Sequence, residues 1–221
     1  MRLVLASHNR HKLREVREVL GAVVPGLDVV AAPDLGAGAP VEDGTTFAEN
    51  ALLKARALAA HTGLPAIADD SGLAVDILGG APGIFSARWC GRHGDDRANL
   101  ELLLAQLADV APAHRGARFV CAAALVVPGG PEVVEHGELV GHLLTSPVGE
   151  GGFGYDPVLV PDGDTRSCAQ LSAAEKNAIS HRGKAFRALA SQLVEALTAA
   201  DGAGGAPSAA EVRGRPGDAR G

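Results

Sequence analysis

The 221-residue sequence predicts a mixed α/β domain, and three observations carry that prediction. Leu3-Val4-Leu5 runs through a polar turn into Leu13, Val16, Val19 and Leu20 at helical spacing, the strand, loop and helix that open an α/β unit. Segments 118–127 and 133–144 are long β-compatible stretches joined by Pro128-Gly129-Gly130-Pro131, an antiparallel pair that a purely parallel α/β protein lacks. Phe186, Leu189, Leu193 and Leu197 stripe a last helix.

The remaining elements follow in chain order. Leu27-Asp28-Val29-Val30 reads as a second strand, and 33–44 as a Gly/Pro-rich loop carrying Glu42 and Asp43. Thr46-Phe47-Ala48-Glu49 is a capping box, and Leu52, Leu53, Ala57 and Ala60 continue its helix to about His61. Pro65-Ala66-Ile67-Ala68 is a short apolar strand ending in Asp69-Asp70-Ser71-Gly72, which places carboxylates at a strand end facing a cleft. Residues 79–83 form a loop, and Leu100, Leu103, Leu104 and Leu107 stripe a core helix. Ser172-Ala173-Ala174-Glu175 is a second capping box, and 155–160 reads as a strand. Residues 1–198 thus form one domain. Residues 199–221 read as a disordered tail: from Asp201 onward there are six Gly, two Pro, one Val and no aromatic, too little to bury.

Composition narrows function. Twenty Lys plus Arg against 26 Asp plus Glu leave a net charge of −6, without a polybasic run, so the chain lacks the electrostatic footprint of a general nucleic-acid or membrane-surface binder. No apolar run approaches the roughly 20 residues that span a bilayer, and no signal peptide precedes Ser7-His8; a cytoplasmic location is the expectation. Cys90, Cys121 and Cys168 are odd in number and widely spaced, fitting neither a disulfide framework nor a zinc cage. The four Lys, four Asn, four Ile and single Tyr are scarce beside 41 Ala and 29 Gly, and all but Asn99 fall in five short segments.

Those segments hold the candidate chemistry. Ser7-His8-Asn9-Arg10-His11-Lys12 lies between a strand and a helix, where backbone N–H groups and the helix dipole attract anions. By itself it also reads as a polar turn with a solvated lysine. The pairs Glu42-Asp43 and Asp69-Asp70 offer hard oxygens suited to Mg²⁺, or are solvated turn acids. Asn50 and Lys54 share a helix face. Gly149-Glu150-Gly151-Gly152-Phe153-Gly154 spells the dinucleotide fingerprint G-x-G-x-x-G, yet a strand follows where the fingerprint needs a helix, so that reading is rejected. Instead its glycines allow close backbone approach, and Phe153 and Tyr155 offer flat faces to a ring. Lys176, His181 and Arg182 gather three cationic donors within one helix and its following turn. No serine-hydrolase elbow or zincin motif occurs.

Taken together, 7–12, E-D-G-T-T-F-A-E-N-A-L-L-K (42–54), A-D-D-S-G-L (68–73), G-G-A-P-G-I-F-S-A-R (79–88), G-G-F-G-Y-D-P (151–157), E-K-N (175–177) and S-H-R-G (180–183) resemble the inosine triphosphate pyrophosphatase family over roughly residues 1–198. The resemblance implies an elongated, two-lobed mixed sheet with flanking helices around a central cleft, usually in a homodimer. It implies hydrolysis of the noncanonical purine triphosphates ITP, dITP and XTP to the monophosphate and pyrophosphate with Mg²⁺, cleansing the nucleotide pool. It assigns Ser7, His8, Asn9, Arg10, His11 and Lys12 to the triphosphate, and Glu42 and Asp70 to the metal. It further implies that Asp70 would orient or deprotonate the attacking water, that Lys54 would help stabilise charge and that Ser71 would touch substrate. Phe153, Gly154, Tyr155, Asp156, Lys176, His181 and Arg182 would enclose base and phosphates. Val41 stands where some relatives carry a second acid, leaving Asp43 as a substitute ligand. Two other readings compete: a related pyrophosphatase acting on modified pyrimidine triphosphates, and a non-catalytic nucleotide sensor.

Overall fold

The computed structural model describes residues 2–7 and 10–203, with side chains undescribed at 10, 11 and 197–203. Six strands form one mixed sheet: β1 (Arg2–Leu5), β2 (Asp28–Ala31), β3 (Ala66–Val75), β4 (Gly116–Val126), β5 (Glu132–Leu143) and β6 (Leu159–Pro161), in the order β2-β1-β3-β4-β5-β6. β1 pairs parallel with β2 and β3, and every pairing from β3 onward is antiparallel. Around the sheet lie α1 (Arg10–Val23), α2 (Phe47–Thr62), α3 (Asp96–Gln106), α4 (Ala173–Ile179) and α5 (His181–Ala203). The mixed class is as expected, and the Pro-Gly-Gly-Pro turn does join an antiparallel pair.

Strand periodicity builds two cores on opposite faces of one half of the sheet. Leu3, Leu5, Ile67, Cys121, Ala123 and Leu125 point to the face covered by α1 and α5, against Val16, Leu20, Phe186 and Leu189. Val4, Ala68, Ala122 and Ala124 point the other way, under Ala51, Ala55 and Leu58 of α2. Farther along the same strands, Leu73, Val75, Phe119 and Leu139 pack with Leu100 and Leu103 of α3 and with Val158 and Cys168. β3, β4 and β5 therefore run through two halves, which are the expected two lobes.

Four local expectations need correction. β3 continues for ten residues instead of ending at Ala68, so Asp69 and Asp70 lie mid-strand. Asp, Ser and Gly are poor strand formers, but antiparallel pairing with β4 along the whole segment overrides that preference. Residues 155–158 form a turn before the short β6, because the Asp156 side chain folds back to accept the Phe153 N–H at 2.8 Å. Ser180 also breaks the C-terminal helical region in two, its hydroxyl accepting the Gly183 N–H at 2.9 Å. Lys176 thus belongs to α4, while His181 and Arg182 open α5. That helix reaches Ala203, past the expected boundary at 198, and residues 204–221 of the expected tail lie outside the described residues.

Candidate active site

β1 is four residues long and pairs with β3 only at Ala66 and Ile67, so the next stretch of β3 is left beside a gap. A cleft of ≈ 520 Å³ opens there, between the end of β1, the loop before α2, the 149–157 loop and the first turn of α5. Ser7, Lys12, Glu42, Lys54, Asp70, Ser71, Phe153, Gly154, Tyr155, Asp156, Lys176, His181 and Arg182 all line it. His8 and Asn9 lie outside the described residues, as do the side chains of Arg10 and His11. Five segments distant in sequence therefore meet at one cavity.

The acidic wall is built by α2. Thr46 caps this helix, its hydroxyl accepting the Glu49 N–H at 3.1 Å, while the Glu49 carboxylate reaches back to Thr45 instead of closing the box on Thr46. One turn in, Asn50 and Lys54 share a face, as their spacing predicts, and both donate to Asp70, each at 3.2 Å. Lys54 Nζ also pairs with Glu42 at 3.2 Å, so one ammonium holds two carboxylates together. Burial raises the Asp70 pKa and the Glu42 charge adds to that, against the opposing pull of Lys54 and Asn50. Burial lowers the Lys54 pKa, but Asp70, Asp69 and Glu42 outweigh it and the net shift is upward, keeping the ammonium charged. Asp43 is exposed and does not line the cleft.

Asp69, one residue earlier on the strand, points to the opposite face. Its Oδ2 accepts from Lys12 at 3.0 Å, Ser71 Oγ at 2.9 Å and Arg182 Nε at 3.2 Å. Burial raises its pKa, but Lys12, Arg182 and Lys54 prevail and hold it well below the ordinary carboxylate range. Arg182 also donates to Glu15 of α1 at 2.7 Å. Its place in the first turn of α5 is the end of a helix that disfavours cations, and these two carboxylates offset that. His181 is buried and stacked on Phe119 at 5.0 Å. Burial, with Arg182 and Lys176 nearby, lowers its pKa far below 6.5 and keeps the ring neutral.

The far rim is the glycine-rich loop. Gly149, Gly152 and Gly154 have φ of 90°, 73° and 60°, a backbone path that other residues rarely follow. Asp156 pairs with Lys176, and the Gly154 N–H donates to Asp96 at the start of α3 at 2.9 Å, fixing the C-terminal part of the loop. Phe153 is 36% exposed, with the Lys176 ammonium 4.9 Å and the Arg182 guanidinium 5.8 Å from its ring centroid. Tyr155 is less available than Phe153: its ring is buried in the distal core and its hydroxyl donates to the Ser86 carbonyl at 2.9 Å. Asp69, a member of the expected acidic pair, and Ser86, within the 79–88 motif, also line the cleft, as do Asp96 and Phe119, which no local pattern announces as site residues.

Fold and cleft together define an α/β protein built to hold a polyanion: cationic side chains line one wall and a buried carboxylate, backed by lysine and asparagine, stands opposite. The chain belongs to the Ham1 family, whose model matches residues 3–192. A Streptomyces avermitilis protein named dITP/XTP pyrophosphatase is 63% identical over 202 residues, covering 89% of this chain and 98% of that one. A Frankia alni protein of the same name is 62% identical over 204 residues, covering 90% and 100%. Among solved structures, a Coxiella burnetii HAM1 protein superposes with a TM-score of 0.81 at 39% identity, covering 89% of this chain and 100% of that one. A Mycobacterium abscessus structure described as nucleoside-triphosphatase / dITP/XTP pyrophosphatase gives 0.71 at 51% identity, covering 87% and 99%. The resemblance noted from the motifs is borne out.

Proposed function

We propose that this chain hydrolyses noncanonical purine nucleoside triphosphates, namely ITP, dITP and XTP, to the monophosphate and pyrophosphate. The observation that carries this reading is Asp70: a buried carboxylate of raised basicity, held by Asn50 and Lys54 in a cleft whose other wall bears Lys12, Lys176 and Arg182. The names of the relatives, at up to 63% identity, support the substrate class.

Glu42 and Asp70 are the residues that would hold Mg²⁺. They fit it: both reach one ammonium at 3.2 Å, so their oxygens converge, and their mutual repulsion favours a cation between them. No group of three or more His, Cys, Asp or Glu gathers among the described residues, and Mg²⁺ commonly takes only one or two carboxylates, completing its shell with phosphate and water. Bound there, Mg²⁺ supplies positive charge to the phosphoryl oxygens.

The protein's own groups do the rest. Asp70 accepts a proton from the water that attacks the α-phosphorus, and the bond from that phosphorus to the departing pyrophosphate breaks. Lys54 and Lys12 offset negative charge as it builds on the phosphates, with Ser7 beside Lys12 at the triphosphate end. Phe153, Lys176, His181 and Arg182 enclose the base, where Arg182 and Lys176 donate to the 6-oxo group that distinguishes these purines from adenine. The neutral His181 ring fits a pocket that reads hydrogen bonds. Among the described residues no helix is long and apolar enough to cross a membrane, and a cytoplasmic homodimer is the setting inferred from the family resemblance.

The test is a substrate profile with and without Mg²⁺. The expected result is pyrophosphate release from inosine triphosphate at least about a hundredfold above that from adenosine triphosphate, the discrimination available when a 6-amino base leaves buried donors unpaired, with release also above that from guanosine triphosphate, and its loss on chelation. Equal rates on all three nucleotides, or none, overturn the proposal.

A further inference from the structure

Asp69 is the most enclosed charge in the cleft and has no part in the chemistry assigned to Asp70. Its side chain is 1% exposed, and Oδ2 alone receives three donors, from α1 (Lys12), from α5 (Arg182) and from its own strand (Ser71). Oδ1 is buried and has no hydrogen-bond partner among the described residues. An unsatisfied carboxylate oxygen carries a free-energy penalty, so the side chain is poorly explained as packing. Neighbouring strand residues face opposite ways, and the Asp69-Asp70 pair therefore serves both faces of β3 from one point of the chain.

We infer that Asp69 is a positioning residue, which locks Lys12 at the phosphate end of the cleft and Arg182 at the base end into one geometry, thereby coupling base identity to phosphate placement. The inference rests on the nucleotide reading above. Lys12 and Arg182 belong to helices that begin about 170 residues apart, and both donate to Asp69. Arg182 keeps a second carboxylate in Glu15, which holds its Nη1 but leaves Nε to Asp69 alone. Without Asp69 the tie between the cations of two separate helices is lost and the ligand must supply part of their ordering, which weakens binding and blurs the choice of base.

The test compares the wild type with Asp69→Asn, which preserves shape and removes charge. Three readouts are taken: the Arg182 Nε–H signal in ¹⁵N NMR without nucleotide, kcat and KM for inosine and adenosine triphosphates, and the same constants in an Arg182→Ala background. The expected results are loss of solvent protection at Arg182 Nε and a KM for inosine triphosphate raised about tenfold, the difference between a charged and a neutral hydrogen bond, with kcat changed far less. The preference for inosine over adenosine should fall in each single variant, and no further in the double one. An unaltered Arg182 signal with unchanged selectivity overturns the inference, as does a fall in kcat alone or strictly additive loss in the double variant. If the wild type does not hydrolyse inosine triphosphate, the nucleotide reading fails, while the NMR comparison still decides whether Asp69 fixes Arg182. Should Asp69→Asn not fold, Asp69→Ser is put through the same measurements.

Discussion

At the scale of the residue, the adjacent carboxylates show how much strand geometry does. Asp69 and Asp70 share a peptide bond, yet one faces α1 and α5 with a depressed pKa and the other faces α2 with a raised one. Sequence reading singles out the pair and assigns Asp70 its role through the family resemblance, but placing both at a strand end hides the division between the two faces. Asp70→Asn is expected to lower kcat by about 10²–10⁴-fold, the usual contribution of a positioned base. The fold should persist, since burial already disfavours the ionised form. Steady-state pyrophosphate release beside a thermal melt checks this; near-normal turnover removes Asp70 from the proton-transfer role.

At the scale of the element, helices with strong local signals were legible and junctions were not. α2 runs Phe47–Thr62 against an expected end near His61, because Thr46 and Gly63 mark its termini with local chemistry. An interruption after the helix of Lys176 was legible but its place was not: His181 and Arg182, expected in the turn that follows it, form the first turn of α5, because the Ser180 hydroxyl caps that helix and a lone serine carries little local warning. What holds α5 in place lies on another element. A Cβ at Gly137 of β5 would collide with the His181 carbonyl oxygen, and would meet Ala185 N at 2.7 Å and Lys184 Cβ at 2.9 Å. Gly137→Ala is therefore expected to destabilise the protein by about 1–3 kcal/mol, the cost of overpacking, and to raise KM because the displaced turn carries His181 and Arg182. Denaturant melts and nucleotide kinetics check both parts; an unchanged midpoint refutes the contact.

At the scale of the whole molecule, the cleft sits where two differently packed halves share the same three strands. Cys121 belongs to the core under α5 and Cys168 to the distal core. Burial pushes both thiols up to about 12, with a further push from Asp69 and Asp156 respectively. Native protein should thus label at Cys90 alone with a thiol reagent at neutral pH. In rising denaturant, Cys121 and Cys168 should become reactive together, since β3, β4 and β5 run through both halves and neither can open without disrupting the strands of the other. Separate midpoints by mass spectrometry would show two independently unfolding halves. The net charge of −6 also gains meaning at this scale. Among the described residues, all four Lys and Arg side chains lining the cleft are already paired with carboxylates. A triphosphate therefore enters a site close to charge balance, which is the physical case for a divalent cation.

The sequence by itself determined the α/β class, the caps of α2 and α4, the hairpin turn between β4 and β5, and the list of groups able to bind phosphate, base and metal, because these rest on periodicity, turn chemistry and residue type. Only the tertiary structure decided that Asp69 and Asp70 work on opposite faces, that Tyr155 is tied to Ser86, and that Asp96 and Phe119 border the site. Those relations depend on which strands pair and how far, contacts across tens of residues that leave no period in the local sequence.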